Sequence, residues 1–589
     1  MTDRGPSGVP WLANALVTAQ TVRAELAHDP VQFALQVSRR LPHAVSTPAA
    51  RLLTTTGRLA DGALAAVGHQ ILGDDEAARH SLGGRGRGSR GTALLATAAL
   101  GSDDDGTAAA LLDAVPAEHR GAGWHAAAAR LALYRGELTA AVDLARRHRS
   151  NRILARRLDA ERRALNGYRP QFGPVHPGEA VPGRVLHVLN SSLPHTSSGY
   201  TQRSHSALRA LSESGFDVHA VTRPGYPVEV GIPWARREDS VDGVTYRRLL
   251  PAGLDQDAVG RVDQYARLLS TEVERLRPAL LHTTTHYTNA LVVAAVAEAH
   301  GLPWVYEVRG QRADSWAATR APEAVDSEYY RAFTAREAES ARRADAVVTL
   351  GEQMRRVLLD AGVDAASIRL CPNAVAEQFL PEPPGRVEAR ARLGLDPQDL
   401  LVGTVSSVVD YEGLDLLVRA AARLAPSHPR LKVRIVGDGV ALPGLKVLAE
   451  RLGIADRCQF TGRVDRSEAI WNHAALDVFV VPRRDLPVTR SVTPMKSVEA
   501  SATGRPVVAS ALPALAELVQ DGVTGQLVPP DDDAALATVL GELLADPEQG
   551  HRLGAAGRRW ALDTRTWEAN SRTYTQMYAD LGVAPVSAA

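Results

Sequence analysis

The stretch DVFVVPRRDLPVTRSVTPMKSVEASATGRPVVASALPALAELVQDGVTG, residues 477–525, decides the fold of this chain. A β-branched run, a helical segment and a second apolar run follow one another, which is the pattern of a strand, a helix and a parallel strand. Lys496 and Glu499 lie in the helical segment, and only three lysines occur among the 67 basic residues. A lysine at the mouth of an α/β unit predicts a compact cation for a phosphate, beside a carboxylate for hydroxyl groups.

Working outward, the same alternation of strands and helices runs from residue 185 onward and predicts an α/β fold with two doubly wound sheets facing a cleft. The strands predicted for the first sheet are 185–189, 217–222, 279–282, 304–308 and 346–350. Those predicted for the second sheet are 401–405, 432–436, 458–460, 478–481 and 506–509. A last helix, near residues 567–581, is expected to return to the first sheet.

The first 165 residues show a helical pattern without strand-like runs, so an all-α domain is expected before the α/β part. Three helical hairpins are predicted in residues 64–80, 94–113 and 125–143, with turns at 106–110 and 136–140. Their spacing of about 30 residues resembles tetratricopeptide-like repeats, which bind protein partners on a concave surface. An alanine-rich bundle without a binding role is the alternative. The predicted boundaries are 1–165 helical, 166–183 linker, 184–380 and 381–567 Rossmann-like, and 568–589 C-terminal helix and tail.

Two basic segments in this region could be functional or merely structural. Residues 83–91, GGRGRGSRG, have no interleaved aromatic residues and are interpreted as a surface loop between helices, not as a nucleic-acid-binding segment. Residues 146–163 form a basic helix with Ile153, Leu154 and Leu158 on an apolar stripe. This helix is interpreted either as a contact with anionic lipid or as a solvated outer face.

Composition excludes several classes of function. The 67 basic residues balance 67 acidic ones, so no global field recruits nucleic acid. Cys371 and Cys458 are expected to be core residues of a protein in a reducing cytoplasm, not a disulfide. Neither a secretory leader nor an apolar run of about 18 residues is recognisable, so no transmembrane segment is expected.

Residues near the carboxyl ends of the predicted strands are the candidates for ligand binding. Gly437 and Gly462 mark tight turns after two strands, and the backbone of the segment that ends at Val464 is expected to pair with a nucleobase. The loop entering the helix of Lys496 offers backbone N–H groups for a diphosphate, with side chains of Arg490, Ser491 and Thr493. On the first sheet, His282 and His286 follow a strand and face the cleft. Either one, or neither, is functional on this pattern alone.

In combination, these motifs resemble the retaining nucleotide-sugar glycosyltransferases of family 4, which have the GT-B fold. The resemblance covers residues 185–581, roughly two thirds of the chain, and is nearest to the exopolysaccharide-type subgroup. The segments that carry it are 189–203 (LNSSLPHTSSGYTQR), 305–310 (VYEVRG) with Asp314 and Trp316, 405–415 (VSSVVDYEGLD), 437–439 (GDG), 462–464 (GRV) and the opening stretch.

The resemblance implies roles for individual residues. Gly199 and Tyr200 would face the donor phosphates, Glu499 would bind ribose hydroxyls, and His282 or His286 would touch the sugar or the acceptor. Two positions depart from the family. Ser491 stands where the family often has a second glutamate. Ser407 and Glu412 stand where an arginine and a lysine often hold the diphosphate, so Arg309, Arg490 and Lys496 are the candidates to replace those cations.

The expected function is therefore transfer of a hexosyl group, with retention, from a nucleoside-diphosphate sugar to a saccharide or lipid-linked hydroxyl acceptor, in polysaccharide or glycoconjugate synthesis. No metal and no cofactor beyond the donor substrate are expected, because no Asp-x-Asp motif lies in the predicted cleft. The expected location is the cytoplasm, free or peripheral at the inner face of the membrane. The alternative is a catalytically impaired scaffold that acts through its helical repeats and binds a protein partner there.

Overall fold

The computed structural model describes residues 9–586 except 39–42, 58–61, 84–87, 174, 176 and 177. The chain divides into two compact units. The first comprises Met1–Ser197, Asp217–Tyr306 and Ser315–Asp345, and the second comprises Ser198–Phe216, Glu307–Asp314 and Ala346–Ala589. The second unit thus includes elements of the first predicted Rossmann-like domain. Each unit is described separately below.

The first unit begins with an all-helical region, as predicted. Its helices are α1 (Trp11–His28), α2 (Pro30–Ser38), α3 (His43–Gly57), α4 (Ala63–Leu72), α5 (Asp75–Leu82), α6 (Gly88–Leu100), α7 (Asp105–Asp113), α8 (Ala122–Tyr134), α9 (Leu138–Arg146) and α10 (Arg152–Leu165). The three predicted hairpins are confirmed as α4–α5, α6–α7 and α8–α9. Alanine side chains fill much of their core, which lets neighbouring helices pack closely. The loop predicted at 83–91 falls partly outside the described residues, and α6 already begins at Gly88.

The turn between α6 and α7 lies earlier than the predicted 106–110, so that part of the prediction was wrong. The Asp104 carboxylate accepts a hydrogen bond from Thr107 N at 2.9 Å and caps α7, so Gly106 lies in its first turn. Asp103 takes the left-handed conformation, with φ 55°, that closes the turn. At the next hairpin Gly136, with φ 80°, closes the turn as the sequence suggested.

The helix predicted at residues 146–163 is buried on one side instead of being an outer face. In the structure α10 begins at Arg152, and Leu154 and Leu158 are buried in a core with α8 and α9. Ile153 alone of the predicted stripe is exposed. On another side α10 packs against the α/β part of the first unit. The α8–α9 turn adds to this docking, because Thr139 N donates to Glu328 Oε2 at 2.8 Å.

The α/β part of the chain begins after the linker 166–183, whose described residues contain no helix or strand. Its first elements are β1 (Arg184–Leu189), α11 (Gly199–Glu213), β2 (Asp217–Thr222), β3 (Glu238–Val241), β4 (Val244–Arg248), α12 (Ala258–Leu276), β5 (Leu280–Thr284), α13 (Tyr287–His300), β6 (Trp304–Val308), α14 (Arg312–Ala317), α15 (Glu328–Arg343), β7 (Ala346–Thr349), α16 (Glu352–Asp360) and β8 (Ile368–Leu370).

In the first unit the strands follow the order β3-β4-β2-β1-β5-β6. β1 pairs in parallel with β2 and β5, whereas β3 and β4 form an antiparallel hairpin at the edge. In the second unit β7 and β8 pair in parallel. All five strands predicted for this sheet exist, and the short elements β3, β4 and β8 are additional.

The second unit continues with α17 (Arg386–Leu393), β9 (Leu400–Val405), α18 (Leu414–Leu424), β10 (Leu431–Val436), α19 (Leu442–Arg451), β11 (Cys458–Gly462), α20 (Arg466–Ala475), β12 (Val478–Val481), α21 (Pro487–Ser491), α22 (Met495–Ala502), β13 (Val507–Ser510), α23 (Pro513–Ala516), β14 (Gly525–Val528), α24 (Asp533–Ala545), α25 (Pro547–Thr564) and α26 (Trp567–Asp580). These strands form one parallel sheet in the order β11-β10-β9-β12-β13-β14.

Both faces of this second sheet are covered, which explains its apolar strands. Val478 and Val480 belong to one core cluster, while Phe479 and Val481 on the same strand belong to another. Alternate side chains of a strand point to opposite faces, so each face of the sheet packs on its own helices. The fold is therefore two mainly parallel α/β sheets after a helical region, as predicted.

The last helix, α26, packs on α11 and β8 within the second unit, as the sequence suggested. Phe216 and Tyr578 meet edge to face with ring centroids 5.3 Å apart, and the Arg203 guanidinium lies 5.4 Å from the Trp567 ring. Among the described residues, no helix combines the length and the apolar character needed to cross a bilayer.

Candidate active site

The start of α11 is one wall of the candidate site. Ser198 and Thr201 form a capping box that fixes this helix end. Gly199 lies beside Met495 at the start of α22, since a Cβ at Gly199 would be 3.6 Å from the Met495 sulfur. The Tyr200 side chain is half exposed, and a Cβ at Gly310 would come within 2.5 Å of its hydroxyl. Glycine at position 310 thus leaves room for the Tyr200 hydroxyl.

A buried ionic network lies behind this wall. Glu307 at the end of β6 accepts hydrogen bonds from Arg203 Nη2 and Arg309 Nη2, each at 2.7 Å. All three side chains are at most 3 % exposed. Tyr574 of α26 donates to the same carboxylate at 3.1 Å. The charge of Arg309 is therefore partly engaged by Glu307, and its action on the donor phosphates stays a prediction.

Arg203 and Asn373 connect this network to the loop that precedes α22. Arg203 Nη1 donates to Pro372 O at 2.9 Å, and its Nη2 donates to Cys371 O at 2.5 Å. The next residue, Asn373, donates from Nδ2 to Thr493 O at 2.9 Å. The loop with the predicted ligands Ser491 and Thr493 is thus held through a chain of buried hydrogen bonds.

Lys496 is part of a buried cluster of three charged side chains. Arg483, at the end of β12, binds Glu412 with both ends of its guanidinium, through Nη2 at 2.9 Å and Nε at 3.1 Å. Lys496 Nζ donates to the same carboxylate. The three side chains are 6–9 % exposed. Lys496 thus pairs across the fold with Glu412, and no pairing with Glu499 on the same helix is seen among the described residues.

The pKa values in this cluster reflect burial opposed by ion pairing. Burial raises the pKa of Glu412, but Arg483 and Lys496 outweigh it and lower the pKa to about 2. Burial lowers the pKa of Lys496 to about 8, although Glu412 acts to raise it. Burial and Glu412 raise the pKa of Tyr411, Arg483 acts to lower it, and Tyr200 adds a further rise. Tyr411 and Tyr200 therefore face the same cluster.

Glu499 lies one turn further along α22, near the start of α20. Its carboxylate is 4.0 Å from His473 Nε2, and Arg466 is close enough to act on its pKa. Burial dominates and raises the pKa of Glu499. Pro494 precedes α22, and among the described residues no side chain caps the helix start, so its first N–H groups are available to an anion. A cation, a carboxylate and free N–H groups are thus adjacent on α22.

The predicted glycines lie at the carboxyl ends of strands of the second sheet. Gly437 has φ 137° and its N donates to Gly462 O at 2.9 Å, while a Cβ there would overlap Ser406 O. Gly462 has φ 71°, and a Cβ there would meet no atom within 4 Å. Gly437 is therefore needed for packing of two loops. Gly462 and the half-buried Val464 border open space, where contact with a nucleobase stays a prediction.

Of the three other residues predicted to bind the donor, Arg490 and Ser491 are turned to local partners. Arg490 is exposed and pairs with Asp485, its Nη2 lying 2.8 Å from Oδ2. The Ser491 hydroxyl donates to Pro487 O at 3.2 Å, and the side chain is buried. Thr493 Oγ1 is buried and finds no hydrogen-bond partner among the residues that the structure describes. Donor contacts by all three stay predictions.

His282 and His286 belong to the first unit. β5 extends to Thr284, so His282 lies inside the strand, not at its end as expected. It is buried and stacks on His187 of β1 with ring centroids 4.5 Å apart. His286 follows the strand, precedes α13 and packs near Tyr287 and Phe333. Contact of either histidine with a sugar or an acceptor stays a prediction.

Arg483 is the site residue that the sequence did not single out. A signal was available, since the dipeptide Arg483-Arg484 follows the buried strand β12 after a single proline. Within the described residues, no group of three or more His, Cys, Asp or Glu side chains converges as a metal site would.

Two family models match the α/β part of the chain. Residues 198–374 match the glycosyl transferase 4-like domain, and residues 386–560 match glycosyl transferases group 1. Together they include α11, the Glu307 network apart from Tyr574, and the Glu412 cluster. By these two domains the chain belongs to the family 4 glycosyltransferases. The exopolysaccharide-type subgroup is not established by these matches.

Curated relatives of this family 4 chain match over the α/β part. A GDP-mannose-dependent alpha-(1-6)-phosphatidylinositol monomannoside mannosyltransferase of Mycolicibacterium smegmatis is 36 % identical over 218 residues, 37 % of this chain and 57 % of the relative. A D-inositol 3-phosphate glycosyltransferase of Streptomyces coelicolor is 37 % identical over 229 residues, 35 % of this chain and 48 % of the relative. The chain spans about half the length of these relatives.

Solved structures with the same fold support the GT-B architecture of this family 4 chain. The sucrose-phosphate synthase of Thermosynechococcus elongatus aligns with a TM-score of 0.58 and 22 % identity, over 68 % of this chain and 99 % of that one. HepE of Anabaena, solved in complex with UDP, aligns with a TM-score of 0.53 and 17 % identity, over 67 % and 100 %. At these identities the likeness concerns the fold alone.

Proposed function

We propose that this protein is a retaining glycosyltransferase that moves a hexosyl group from a nucleoside-diphosphate sugar to a hydroxyl acceptor. The observation that carries the proposal is the buried cation pair of Arg483 and Lys496, with Glu499 one turn beyond Lys496 on α22. Cations held in a buried site act strongly on a leaving diphosphate, because little water screens them. Glu499 can accept hydrogen bonds from two ribose hydroxyls.

The chemistry requires stabilisation of charge on the leaving group and exclusion of water from the sugar. Arg483, Lys496 and the N–H groups of α22 would bind the diphosphate as the bond to the anomeric carbon breaks. The departing phosphate oxygen would accept the proton of the acceptor hydroxyl on the same face, which retains the configuration. The cations would take the role that a metal has in other transferases. Arg309 would support Tyr200 at the donor phosphates.

The identity of the donor is an open part of this proposal. One relative is named as GDP-mannose-dependent, and others are named for glycosyl transfer to inositol 3-phosphate. Transfer of a glycosyl group is common to these names, and we propose a hexosyl donor with a polyol or saccharide hydroxyl as acceptor. Ser491, uncharged where the family often has a glutamate, is expected to change sugar preference.

Thermal-shift measurements with UDP-, GDP- and ADP-sugars test the proposal directly. A donor that binds the native protein raises the melting temperature with its concentration, because it stabilises the folded state by about 2.7 kcal/mol at one hundred times Kd. The rival proposal, a catalytically impaired scaffold that binds a protein partner through its helices, predicts no shift with any of them. Absence of a shift with every donor would favour that rival.

The variants Lys496→Ala and Glu499→Ala test whether these two side chains form the donor site. Each is expected to lower turnover at least a hundredfold, because each removes an interaction with the donor. Lys446→Ala and Glu450→Ala are matched controls, since both residues are exposed on α19 of the same unit. Full activity of both site variants with an identified donor would refute the assignment.

A lipid-linked acceptor and a peripheral position at the membrane are the second part of the proposal. The sequence suggested α10 as the lipid-facing helix, but that helix is buried on two sides. Helix α1 is the better candidate, because five large apolar side chains on it are exposed. They are Trp11, Leu12, Leu16, Val22 and Leu26, which are 38–75 % exposed.

These side chains share one half of α1, whose 18 residues span about 27 Å. All residues of α1 are described, and the one charged residue among its exposed positions is Arg23. The other half is docked, since Asn14 Nδ2 donates to Ala235 O at 2.9 Å and Val17 is buried. An apolar face with a tryptophan and a single positive charge fits an anionic bilayer surface.

Sedimentation with anionic phosphatidylglycerol vesicles tests this part. The double variant Leu12→Glu, Leu16→Glu is expected to lower the bound fraction at least about fivefold, because each leucine contributes roughly 1.5–3 kcal/mol on burial. Ile153→Glu, an equally apolar and exposed position on α10, is the control and should bind as the unchanged protein does. Equal loss in both variants would refute the role of α1.

A further inference from the structure

We propose that Glu412 is a positioning residue that holds Arg483 and Lys496 together as a preformed site for the donor diphosphate. This inference rests on the proposed function and deepens it. The family often has a lysine at this position, so a carboxylate here reverses the charge of the loop. The cations that bind the phosphate would then come from β12 and α22.

The backbone brings Glu412 to Arg483. Strands β9 and β12 are neighbours in the sheet, so the segments that follow them meet at one edge. Glu412 ends the 3-10 turn Asp410–Glu412. Gly413 follows with φ 65°, and a Cβ there would overlap Pro482 O, the residue before Arg483. Glycine therefore allows the turn to press against the end of β12.

The side chains leave hydrogen-bond donors for a ligand. Described acceptors take three of the five N–H groups of Arg483, two at Glu412 and one at Val492 O at 2.8 Å. The described partner of Lys496 Nζ is Glu412, which takes one of its three N–H groups. The remaining donors can bind phosphate oxygens while Glu412 keeps both cations in place.

The charges explain why a carboxylate is needed. Two buried cations without an anion would repel each other, and the loss of an ion-pair partner in a buried site is costly. Arg483 lowers the pKa of Lys496, and Glu412 acts against this effect. With Glu412 the cluster keeps one net positive charge for a diphosphate. A lysine at position 412 would instead place three cations in one buried site.

The groups that face Lys496 make its titration recognisable. Within the cluster, Lys496 faces Glu412 from the loop after β9 and Arg483 from the end of β12. Tyr411, on the same loop as Glu412, and Tyr200 of α11 lie next to the cluster. The arginine keeps its charge through neutral and mildly alkaline pH, and phenols ordinarily titrate near pH 10. A loss of diphosphate binding between pH 7 and 9 would therefore report Lys496, whose pKa is about 8.

Calorimetric titration of the full chain with GDP and with UDP from pH 6 to 9 tests the inference. Binding to the unchanged protein is expected to weaken above about pH 8, because Lys496 loses its charge as pH rises. In Glu412→Gln this decline should move to lower pH by at least about one unit. The dissociation constant at pH 8.5 should rise about tenfold, while the two proteins converge toward pH 6.

Asp415→Asn is the matched control, because Asp415 lies three residues away and pairs with the neighbouring Arg484 at 2.6 Å. Its pH profile should equal that of the unchanged protein. A profile of Glu412→Gln that superimposes on both would overturn the inference and leave the proposed function standing. Failure of the unchanged protein to bind any nucleotide would instead overturn the proposed function.

Lys496→Arg decides the matter if Glu412→Gln does not fold. Arginine remains charged throughout this pH range, so the decline above about pH 8 should disappear in this variant. Persistence of the decline in Lys496→Arg would overturn the inference, because the titrating group would then lie elsewhere.

Discussion

Replacement of Glu307 by alanine is expected to destabilise the second unit more than any surface change. Glu307 is 1 % exposed and accepts hydrogen bonds from Arg203, Arg309 and Tyr574. Its removal leaves two buried guanidinium groups without their shared carboxylate. The loss of one partner from a buried ion pair costs about 3–5 kcal/mol.

The expected loss of stability lies in the lower part of that range, because both arginines keep other hydrogen-bond partners. Arg203 retains the carbonyl oxygens of Cys371 and Pro372, at 2.5 and 2.9 Å, which offset part of the lost hydrogen bonding. Arg309 retains the Ser204 hydroxyl at 2.6 Å. We therefore expect a loss of about 3 kcal/mol in the free energy of unfolding, a large part of the 5–15 kcal/mol typical of a folded protein.

Urea unfolding followed by calorimetry and tryptophan fluorescence measures this effect. The chain has two compact units, so each transition is fitted separately and the comparison is restricted to the one that shifts. Glu382→Ala is the control, because Glu382 is 88 % exposed and lies 3.6 Å from Arg558. The reasoning would be refuted if Glu307→Ala unfolded with the same midpoint as Glu382→Ala.

Two further predictions concern the second unit. His473 is buried against Phe479, and burial lowers its pKa to about 3. Below about pH 6.5 the unfolded chain therefore binds a proton at this histidine that the folded chain does not bind. The free energy of unfolding should fall from pH 6.5 toward pH 3 by up to roughly 4 kcal/mol. His473→Phe should remove this part of the acid destabilisation, and His428→Gln, at a half-buried position of the same unit, should not. Acid titration of unfolding would show this, and equal profiles in all three proteins would contradict it. Gly413→Ala should lower the melting temperature by several degrees and weaken nucleotide binding, because a Cβ would overlap Pro482 O at a φ of 65°. Gly444→Ala, where a Cβ meets nothing within 4 Å, is its control, and equal thermal and binding curves would contradict the prediction.

Much of the fold could be predicted because local pattern and burial coincide. All ten predicted strands exist, and β2, β6 and β12 have the predicted bounds. The elements that the sequence did not show are β3, β4, β8 and β14, which are three to five residues long. β3, β8 and β14 carry polar or partly exposed residues at sheet ends, where the hydrophobic alternation that marks a strand is weakest.

The limits of pattern reasoning are clearest at α10 and His282. Charge along α10 suggested a solvated or lipid-facing helix, yet packing on both neighbours buries Leu154 and Leu158. The apolar face that stays exposed is on α1 instead. His282 was expected at a strand end, but β5 continues two residues further because Thr283 and Thr284 suit a strand and are buried there.

At the site, the sequence by itself determined that a lysine and a carboxylate stand one turn apart on α22, because helical spacing fixes that relation locally. Only the tertiary structure decided what Lys496 binds. Glu412 is 71 residues from Arg483 and 84 from Lys496 along the chain. These residues meet because β9 and β12 are adjacent in the sheet, an order that no local pattern encodes. From the sequence alone, Glu412 suggested that a cation was missing from this loop. In the sheet, the same carboxylate binds the two cations Arg483 and Lys496.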